Sequence, residues 1–135
     1  MSKRLNVFVV VVVAALLAPP AWSAIETRGD VSYMNGGIGK DDADAMRAEA
    51  SRFPLELQFV RRTDGHEEFV ADVAIRIADR AGRVVLDLPD QGPVFLVNLP
   101  DGEYTFDLQH AGQIQTRRVV VSHSSPHQKL AFVWS

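Results

Sequence analysis

The stretch Val94–Val121, VFLVNLPDGEYTFDLQHAGQIQTRRVVV, predicts three short strands joined by two tight turns. In its middle strand Tyr104, Phe106 and Leu108 alternate with polar residues. A period of two buries one face of a strand and leaves the other in water, as in an antiparallel sheet that covers a single core. The flanking segments PDG and AG predict the turns, because glycine readily adopts the positive φ that a reversal needs.

The same period predicts further strands on both sides of this stretch. They are Leu55–Val60, Phe69–Ile77, Val84–Leu88 and Leu130–Trp134, while Val31–Met34 predicts a short first strand and residues 89–93 a loop. Short strands separated by turn residues are typical of sandwiches, so the sequence predicts a mainly β fold, an antiparallel Greek-key β-sandwich of about seven strands with one N-terminal helix. The predicted structural core is Tyr104, Phe106, Leu108, Val119, Val121, Phe132 and Trp134.

The strand Gln113–Val121 has an inconsistent apolar pattern. If Val119 and Val121 face the core, the same parity turns Ile114 outward and Arg117 inward. An extra residue in the strand would reconcile the two halves, so the pattern predicts a β-bulge near Arg117–Arg118.

The first 23 residues resemble a secretory signal peptide. Lys3 and Arg4 precede an apolar run of twelve residues, Val7–Ala18, and Ala21-Trp22-Ser23 offers small residues for cleavage. Twelve apolar residues are fewer than the roughly 20 that a transmembrane helix needs. We therefore expect cleavage after Ser23, with Ala24 as the alternative site, a periplasmic location, and no stable membrane insertion afterwards.

Cleavage would leave 112 of the 135 residues, which is the size of one domain. The chain contains no Cys, so its stability must come from packing without disulfides even in an oxidising compartment. Its net charge is −3, and without the two basic residues of the signal peptide 12 basic residues face 17 acidic ones. An acidic surface argues against nucleic acid as a partner. The predicted organisation is a signal peptide (1–23), a Gly-rich loop and helix (24–54) and the sandwich (55–135).

The segment between the signal peptide and the sandwich predicts a glycine-rich loop followed by a helix. Asp41 is the expected N-cap of a helix that runs to Arg52, Ala43, Met46, Ala50 and Phe53 form its apolar stripe, and Pro54 ends it. Such a short helix must lie on another surface to be stable. We expect a partner-binding loop and helix here, with candidate residues Gly36, Gly37, Gly39, Asp41, Asp44 and Arg47.

The run Asn98–Phe106, NLPDGEYTF, resembles the L-P-x-G-x-Y-x-[VF] signature of carboxypeptidase regulatory-like domains, which are small transthyretin-like (prealbumin-like) sandwiches. The strand that contains Ala71-Asp72-Val73, followed by Asp79–Gly82, is similar to that family's first hairpin. The similarity covers residues 55–121. The whole chain also looks like short uncharacterised exported proteins of Gram-negative bacteria. The resemblance implies a non-catalytic accessory or binding domain, because its motif residues specify turns and core positions.

No catalytic or ligand-binding motif is complete in the sequence. The run Gly36–Lys40 lacks the spacing of a phosphate-binding loop, and Asp41 follows where that loop needs Ser or Thr. The basic pairs Arg61-Arg62 and Arg117-Arg118 predict solvated strand residues, and the loop carboxylates lack the spacing of a calcium loop. The tail FVWS lacks the Tyr-Arg-Gly-Ser ending of the transthyretin-like hydrolase of 5-hydroxyisourate, and no G-x-S-x-G or H-E-x-x-H motif is present. His66, His110, His123 and His127 are predicted to be solvated in turns or loops, with no carboxylate beside them in sequence to complete a metal site.

These observations favour a non-enzymatic periplasmic accessory or binding module that contacts another envelope protein and has no cofactor. Two alternatives stay open, a hydrolase on the transthyretin-like scaffold and a carrier of a small ligand or metal. The sequence leaves the oligomeric state open.

Overall fold

The computed structural model describes residues 25–36 and 40–135. These residues form ten β-strands, one α-helix and one 3-10 turn. The helix α1 is Lys40–Glu49, and the 3-10 turn Ala50–Arg52 follows it directly. The strands are β1 (Ile25–Arg28), β2 (Val31–Gly36), β3 (Leu55–Thr63), β4 (His66–Phe69), β5 (Val73–Asp79), β6 (Val84–Gln91), β7 (Val94–Asn98), β8 (Gly102–His110), β9 (Gln113–Val121) and β10 (Gln128–Trp134).

The strands form two sheets that enclose the main core, which confirms the predicted β-sandwich. One sheet has the order β1-β2-β7-β3-β10, with β4 also paired to β3, and the other has the order β6-β5-β8-β9. The described residues contain more strands than the predicted seven. One pair also departs from the antiparallel prediction, since β10 runs parallel to β3 with Gln128 opposite Leu55. The chain crosses from β9 in the other sheet and enters β10 from the end where β3 starts.

The sandwich includes residues on the N-terminal side of Leu55. The predicted first strand is present and extends to Gly36, and β2 pairs with β7. The strand β1 was not predicted, because all four of its residues are exposed and present no apolar face. Its pairing with β2 depends on backbone hydrogen bonds, which produce no periodic pattern in the sequence.

Two predicted segment boundaries were wrong. The strand predicted over residues 69–77 is two strands, because Asp72 adopts a φ of +59° and the chain leaves one sheet for the other at this point. Phe69 is therefore 60% exposed instead of facing the core. The loop predicted for residues 89–93 is largely strand, since β6 extends to Gln91. Pro89 is tolerated there because β6 lies at a sheet edge, where a missing N–H leaves no partner unpaired.

The predicted β-bulge near Arg117-Arg118 was also wrong. The register between β8 and β9 is continuous from Gly102 opposite Val121 to His110 opposite Gln113. The inward-facing Arg117 is accommodated at the sandwich edge, where its guanidinium carbon lies 4.1 Å from the ring centre of Phe132. Ile114 points outward and is 63% exposed. The parity that the core valines impose therefore holds along the whole strand.

Side chains of β9 and β10 close one edge of the sandwich. Gln115 Nε2 donates to the carbonyl of Val133 (2.7 Å), and Arg117 Nη2 donates to the carbonyl of Ala131 (3.3 Å). In the opposite direction, Trp134 Nε1 donates to the carbonyl of Gln113 (3.1 Å). These bonds satisfy main-chain carbonyls that an edge strand would otherwise leave to solvent.

The core between the sheets is apolar and aromatic. All seven residues of the predicted core are buried, and Phe106, Leu108 and Phe132 are completely inaccessible. Tyr104 keeps its hydroxyl satisfied by donating to the carbonyl of Pro100 (2.7 Å), and burial raises the pKa of its phenol. A second, smaller cluster lies outside the sandwich, beneath the helix. It consists of Met34, Met46, Phe53 and Leu96.

Candidate functional site

The helix lies on the outer face of the six-stranded sheet, as its narrow apolar stripe requires. Met46 and Phe53 pack against Met34 of β2 and Leu96 of β7. The helix covers β2 and β7, whereas polar residues on the outer faces of β3 and β10 lie beside it. Between the helix and these strands lies a cavity of about 580 Å3, which we call the helix–sheet groove.

The groove combines an apolar floor with a polar wall. Val94, Leu96 and Phe69 supply apolar surface from the sheet, and Ala43, Met46 and Arg47 line it from the helix. The polar wall consists of Glu56 and Gln58 of β3, His127 of the loop before β10, and Lys129 of β10. Mixed surfaces of this kind, apolar with a few oriented polar groups, are typical of binding sites.

Glu56 is the buried polar centre of this wall. Its side chain alternates with Leu55 and Leu57, so it points to the outer face of β3, where only 9% of its surface stays exposed. Oε2 accepts a hydrogen bond from Gln58 Nε2 (2.8 Å), and Oε1 lies 3.2 Å from His127 Nε2. These contacts compensate for the loss of solvent around the carboxylate.

His127 connects the helical segment to the sheet. Its Nδ1 lies 2.6 Å from the carbonyl oxygen of Phe53, which can only accept, so Nδ1 donates its proton there. The other nitrogen faces Glu56, and a main-chain bond from Gln128 to the carbonyl of Pro54 (2.9 Å) reinforces the contact. The prediction of a solvated loop histidine was therefore wrong for His127.

The residues predicted to bind a partner fall in four places. Gly37 and Gly39 lie outside the described residues, and Gly36 ends β2 opposite Val94. Asp41 and Asp44 are exposed on the helix, and Asp41 is its second residue instead of the predicted N-cap. Arg47 reaches the groove and is paired with Asp44 at 2.7 Å.

Sequence reasoning missed the groove residues that the sheet supplies. Glu56, Gln58 and Lys129 occupy the polar positions of alternating strands, and a period of two does not distinguish them from other solvent-facing residues. One signal for them was present, because the short helix needs a strand surface to lie on, and polar residues next to that surface then line the groove. The sequence does not indicate which strand that is.

Two further histidines have partners that are distant in sequence. His123 Nδ1 lies 2.5 Å from Asp101 Oδ1, and its Nε2 lies 2.7 Å from Asn98 Oδ1, so this residue joins the β7–β8 and β9–β10 loops. His110 ends β8, is buried, and contacts Arg61 through Nε2 (2.9 Å). The predicted solvated state was wrong for His110 and, with it, for Arg61. Within residues 25–36 and 40–135 no three His, Cys, Asp or Glu side chains are grouped closely enough to hold a metal ion.

The Asp101–His123 contact predicts a pH dependence of stability. Hydrogen bonds from the ring and main-chain N–H of His123 hold the pKa of the Asp101 carboxyl below its usual value. A lowered carboxyl pKa stabilises the fold above the unfolded pKa of about 3.9, and this contribution is lost as the pH falls through the folded value. We expect Asp101→Asn to destabilise the protein at pH 7 and to approach the wild type at pH 2, measured by urea denaturation.

The matched control is Glu26→Gln, which removes one exposed carboxylate from β1. Its difference from the wild type should stay small at both pH values. A loss for Asp101→Asn that is equal at pH 7 and pH 2 would contradict the assignment of the hydrogen bonds to the ionised carboxylate.

Comparisons with known proteins do not show a family for this chain. No protein-family profile matches it. A stretch of 48 residues is 38% identical to the large ribosomal subunit protein uL16 in two strains of Lactobacillus delbrueckii subsp. bulgaricus. The match covers 35% of this chain and 33% of that protein, so the chain spans about a third of the length of the curated relatives it matches. Across the described residues, no helix is long and apolar enough to cross a membrane.

Proposed function

We propose that the protein is a non-enzymatic binding module of the cell envelope that holds a segment of another protein in the helix–sheet groove. The observation that carries this proposal is the groove itself, an open cavity of about 580 Å3 between a docked helix and an incompletely covered sheet. The resemblance of residues 55–121 to carboxypeptidase regulatory-like domains supports an accessory role, and the features of residues 1–23 support export to the periplasm.

The hydrogen bonds of the histidines support binding over catalysis. Both ring nitrogens of His123 and of His127 contact protein oxygen atoms. A general base needs one nitrogen directed at a nucleophile or at substrate. In these two residues both nitrogens serve instead to join loops and strands, which is a structural task.

The chemistry of the groove favours a partner segment with an apolar side chain next to a carboxylate. The apolar side chain would cover Leu96, Val94 and Phe69, whose ring is 60% exposed at the edge of the groove. The carboxylate would meet Lys129, which forms no ion pair among the described residues. Exposed charges of this kind contribute to partner choice more than to stability.

We expect site-specific crosslinking in cells to capture the partner from the groove. A photoreactive benzoylphenylalanine at position 69 should give a discrete crosslinked species in the envelope fraction. The same residue at position 114 should give none, because Ile114 is similarly exposed (63% against 60%) but lies on the outer face of the other sheet. Gel electrophoresis and mass spectrometry of the adduct provide the measurement.

A charge reversal tests the proposed contact with Lys129. Lys129→Glu should reduce the yield of the position-69 adduct by about fivefold, because repulsion replaces an attraction of roughly 1 kcal/mol. Arg118→Glu makes the same charge change on the exposed face of β9 and should leave the yield unchanged. Equal adducts at positions 69 and 114, or no adduct at either, would contradict the proposed function.

A further inference from the structure

A second, smaller cavity lies at one end of the sandwich, apart from the helix–sheet groove. It measures about 220 Å3 and opens between the two sheets, beside the β8–β9 turn. Its lining is rich in hydrogen-bond donors, with Arg61 and Thr63 of β3, His110 of β8 and Trp134 of β10. We call it the Arg61 cavity.

Arg61 has no carboxylate partner among the described residues, in contrast to three other arginines. Arg62 pairs with Glu67, Arg76 with Asp87 and Arg83 with Asp79. Arg61 is half-buried, and its Nη2 contacts the imidazole Nε2 of His110 at 2.9 Å. A guanidinium that is partly desolvated without a counter-ion favours an anion.

The contact with Arg61 determines the tautomer of the neutral His110 ring. A guanidinium only donates hydrogen bonds, so Nε2 must accept, and the neutral ring then carries its proton on Nδ1. Nδ1 is buried and has no hydrogen-bond partner among the described residues. A buried N–H without an acceptor is rare in folded proteins, so this arrangement of His110 is costly in the absence of a further group.

We propose that the Arg61 cavity binds a carboxylate group. The two oxygens match the fork of the Arg61 guanidinium, and the Thr63 hydroxyl supplies a further donor at the same opening. When the carboxylate pairs with the Arg61 guanidinium, the hydrogen bond from Arg61 to Nε2 of His110 is broken. The ring can then carry its proton on Nε2 and donate it to the ligand. This exchange of tautomers replaces the buried unpaired N–H at Nδ1 with an unprotonated nitrogen.

The size of the cavity restricts the ligand to a small group. Pockets for drug-sized ligands run from roughly 300 to 1,000 Å3, and this cavity lies below that range. The Trp134 indole, which packs against the His110 ring at 5.5 Å between centroids, gives the cavity an apolar side. A short-chain carboxylic acid, or the terminal carboxylate of a peptide, has this combination of charge and size.

Nitrogen-15 NMR of histidine-labelled protein tests the proposal, with sodium acetate as the probe and sodium chloride at equal ionic strength as the reference. The expected result is a saturable shift confined to His110, with an affinity on the order of millimolar. The protonated nitrogen should change from Nδ1 to Nε2. A response no larger than that to chloride, or an unchanged tautomer at saturation, would overturn the proposal.

Variants distinguish a binding site from a general effect of salt. Arg61→Met should abolish the response, and Arg61→Lys should weaken the affinity by about tenfold because an ammonium lacks the fork. Arg118→Met removes an exposed arginine elsewhere and should leave the titration unchanged. If Arg118→Met weakens the response as much as Arg61→Met, the assignment to this cavity fails.

A second titration identifies the source of the carboxylate. Acetyl-tetra-alanine with a free terminus is compared with the same peptide carrying a terminal amide. Tighter binding of the free peptide than of acetate assigns the site to polypeptide termini, and equal binding assigns it to small acids. Binding of the amide as strong as that of the free peptide would overturn the carboxylate proposal.

Discussion

Replacing Phe59 with alanine is expected to lower the free energy of unfolding by about 4 kcal/mol. The Phe59 ring is completely buried and lies 6.3 Å from the ring centre of Phe132 and 6.2 Å from that of Trp134. Its removal loses aromatic contacts and leaves a cavity that β3, an interior strand of the six-stranded sheet, is too constrained to fill. Urea denaturation followed by tryptophan fluorescence provides the measurement.

Phe69→Ala is the matched control for this substitution. It deletes the same ring ten residues later in the chain, but at a position that is 60% exposed. Its expected cost is below about 1 kcal/mol, since little buried surface is lost. Equal losses at the two positions would mean that the aromatic cluster around Phe59 does not form the main core.

The second large effect is expected for Gly92→Ala, with a loss of about 3 kcal/mol. Gly92 has a φ of +113°, where a side chain is strained. A Cβ atom there would also lie 2.7 Å from Phe59 Cδ2 and 2.9 Å from the carbonyl oxygen of Val70. Both distances are shorter than van der Waals contact, and the Val70 oxygen belongs to a main chain that is hydrogen-bonded to Phe59. The same urea titration measures the loss.

Gly65→Ala separates backbone strain from steric contact. Gly65 also has a positive φ, +80°, but an added Cβ would meet no atom within 4 Å. The expected loss of stability there is the backbone strain alone, about 1 kcal/mol. The double variant Phe59→Ala/Gly92→Ala should lose less than the sum of the two single variants, because the ring that crowds the new methyl group is gone. Full additivity would exclude the proposed contact between positions 59 and 92.

The strands were predictable where burial imposes a strict alternation on the sequence. In β8 every second residue from Tyr104 to Leu108 is buried, so the apolar pattern and the structure coincide. In β1 no residue is buried, and pairing through the backbone leaves no trace in the residue types. In β9 the pattern predicts a bulge to reconcile the inward valines with Arg117, whereas Phe132 provides a ring for the guanidinium of an inward Arg117.

The candidate site was less predictable, because its residues come together only through tertiary packing. Glu56 and His127 are 71 residues apart, and Asp101 and His123 are 22 apart. Neither pair is detectable from spacing along the chain, since the β-topology brings the loops together. The helix was predicted to lie on another surface, but the strand that completes the groove follows from the sheet order, which one sequence does not specify.

The hydrogen bonds from Gln115 and Arg117 to β10 have a consequence for self-association. A neighbouring molecule can add a strand only where main-chain groups are unoccupied, and here side chains already fill those places. Of the other edges, β1 and β4 offer four residues each and β6 contains Pro89, so all three are poor templates. A protein without cysteine, whose sheets no disulfide holds together, would thereby be protected against edge-to-edge aggregation.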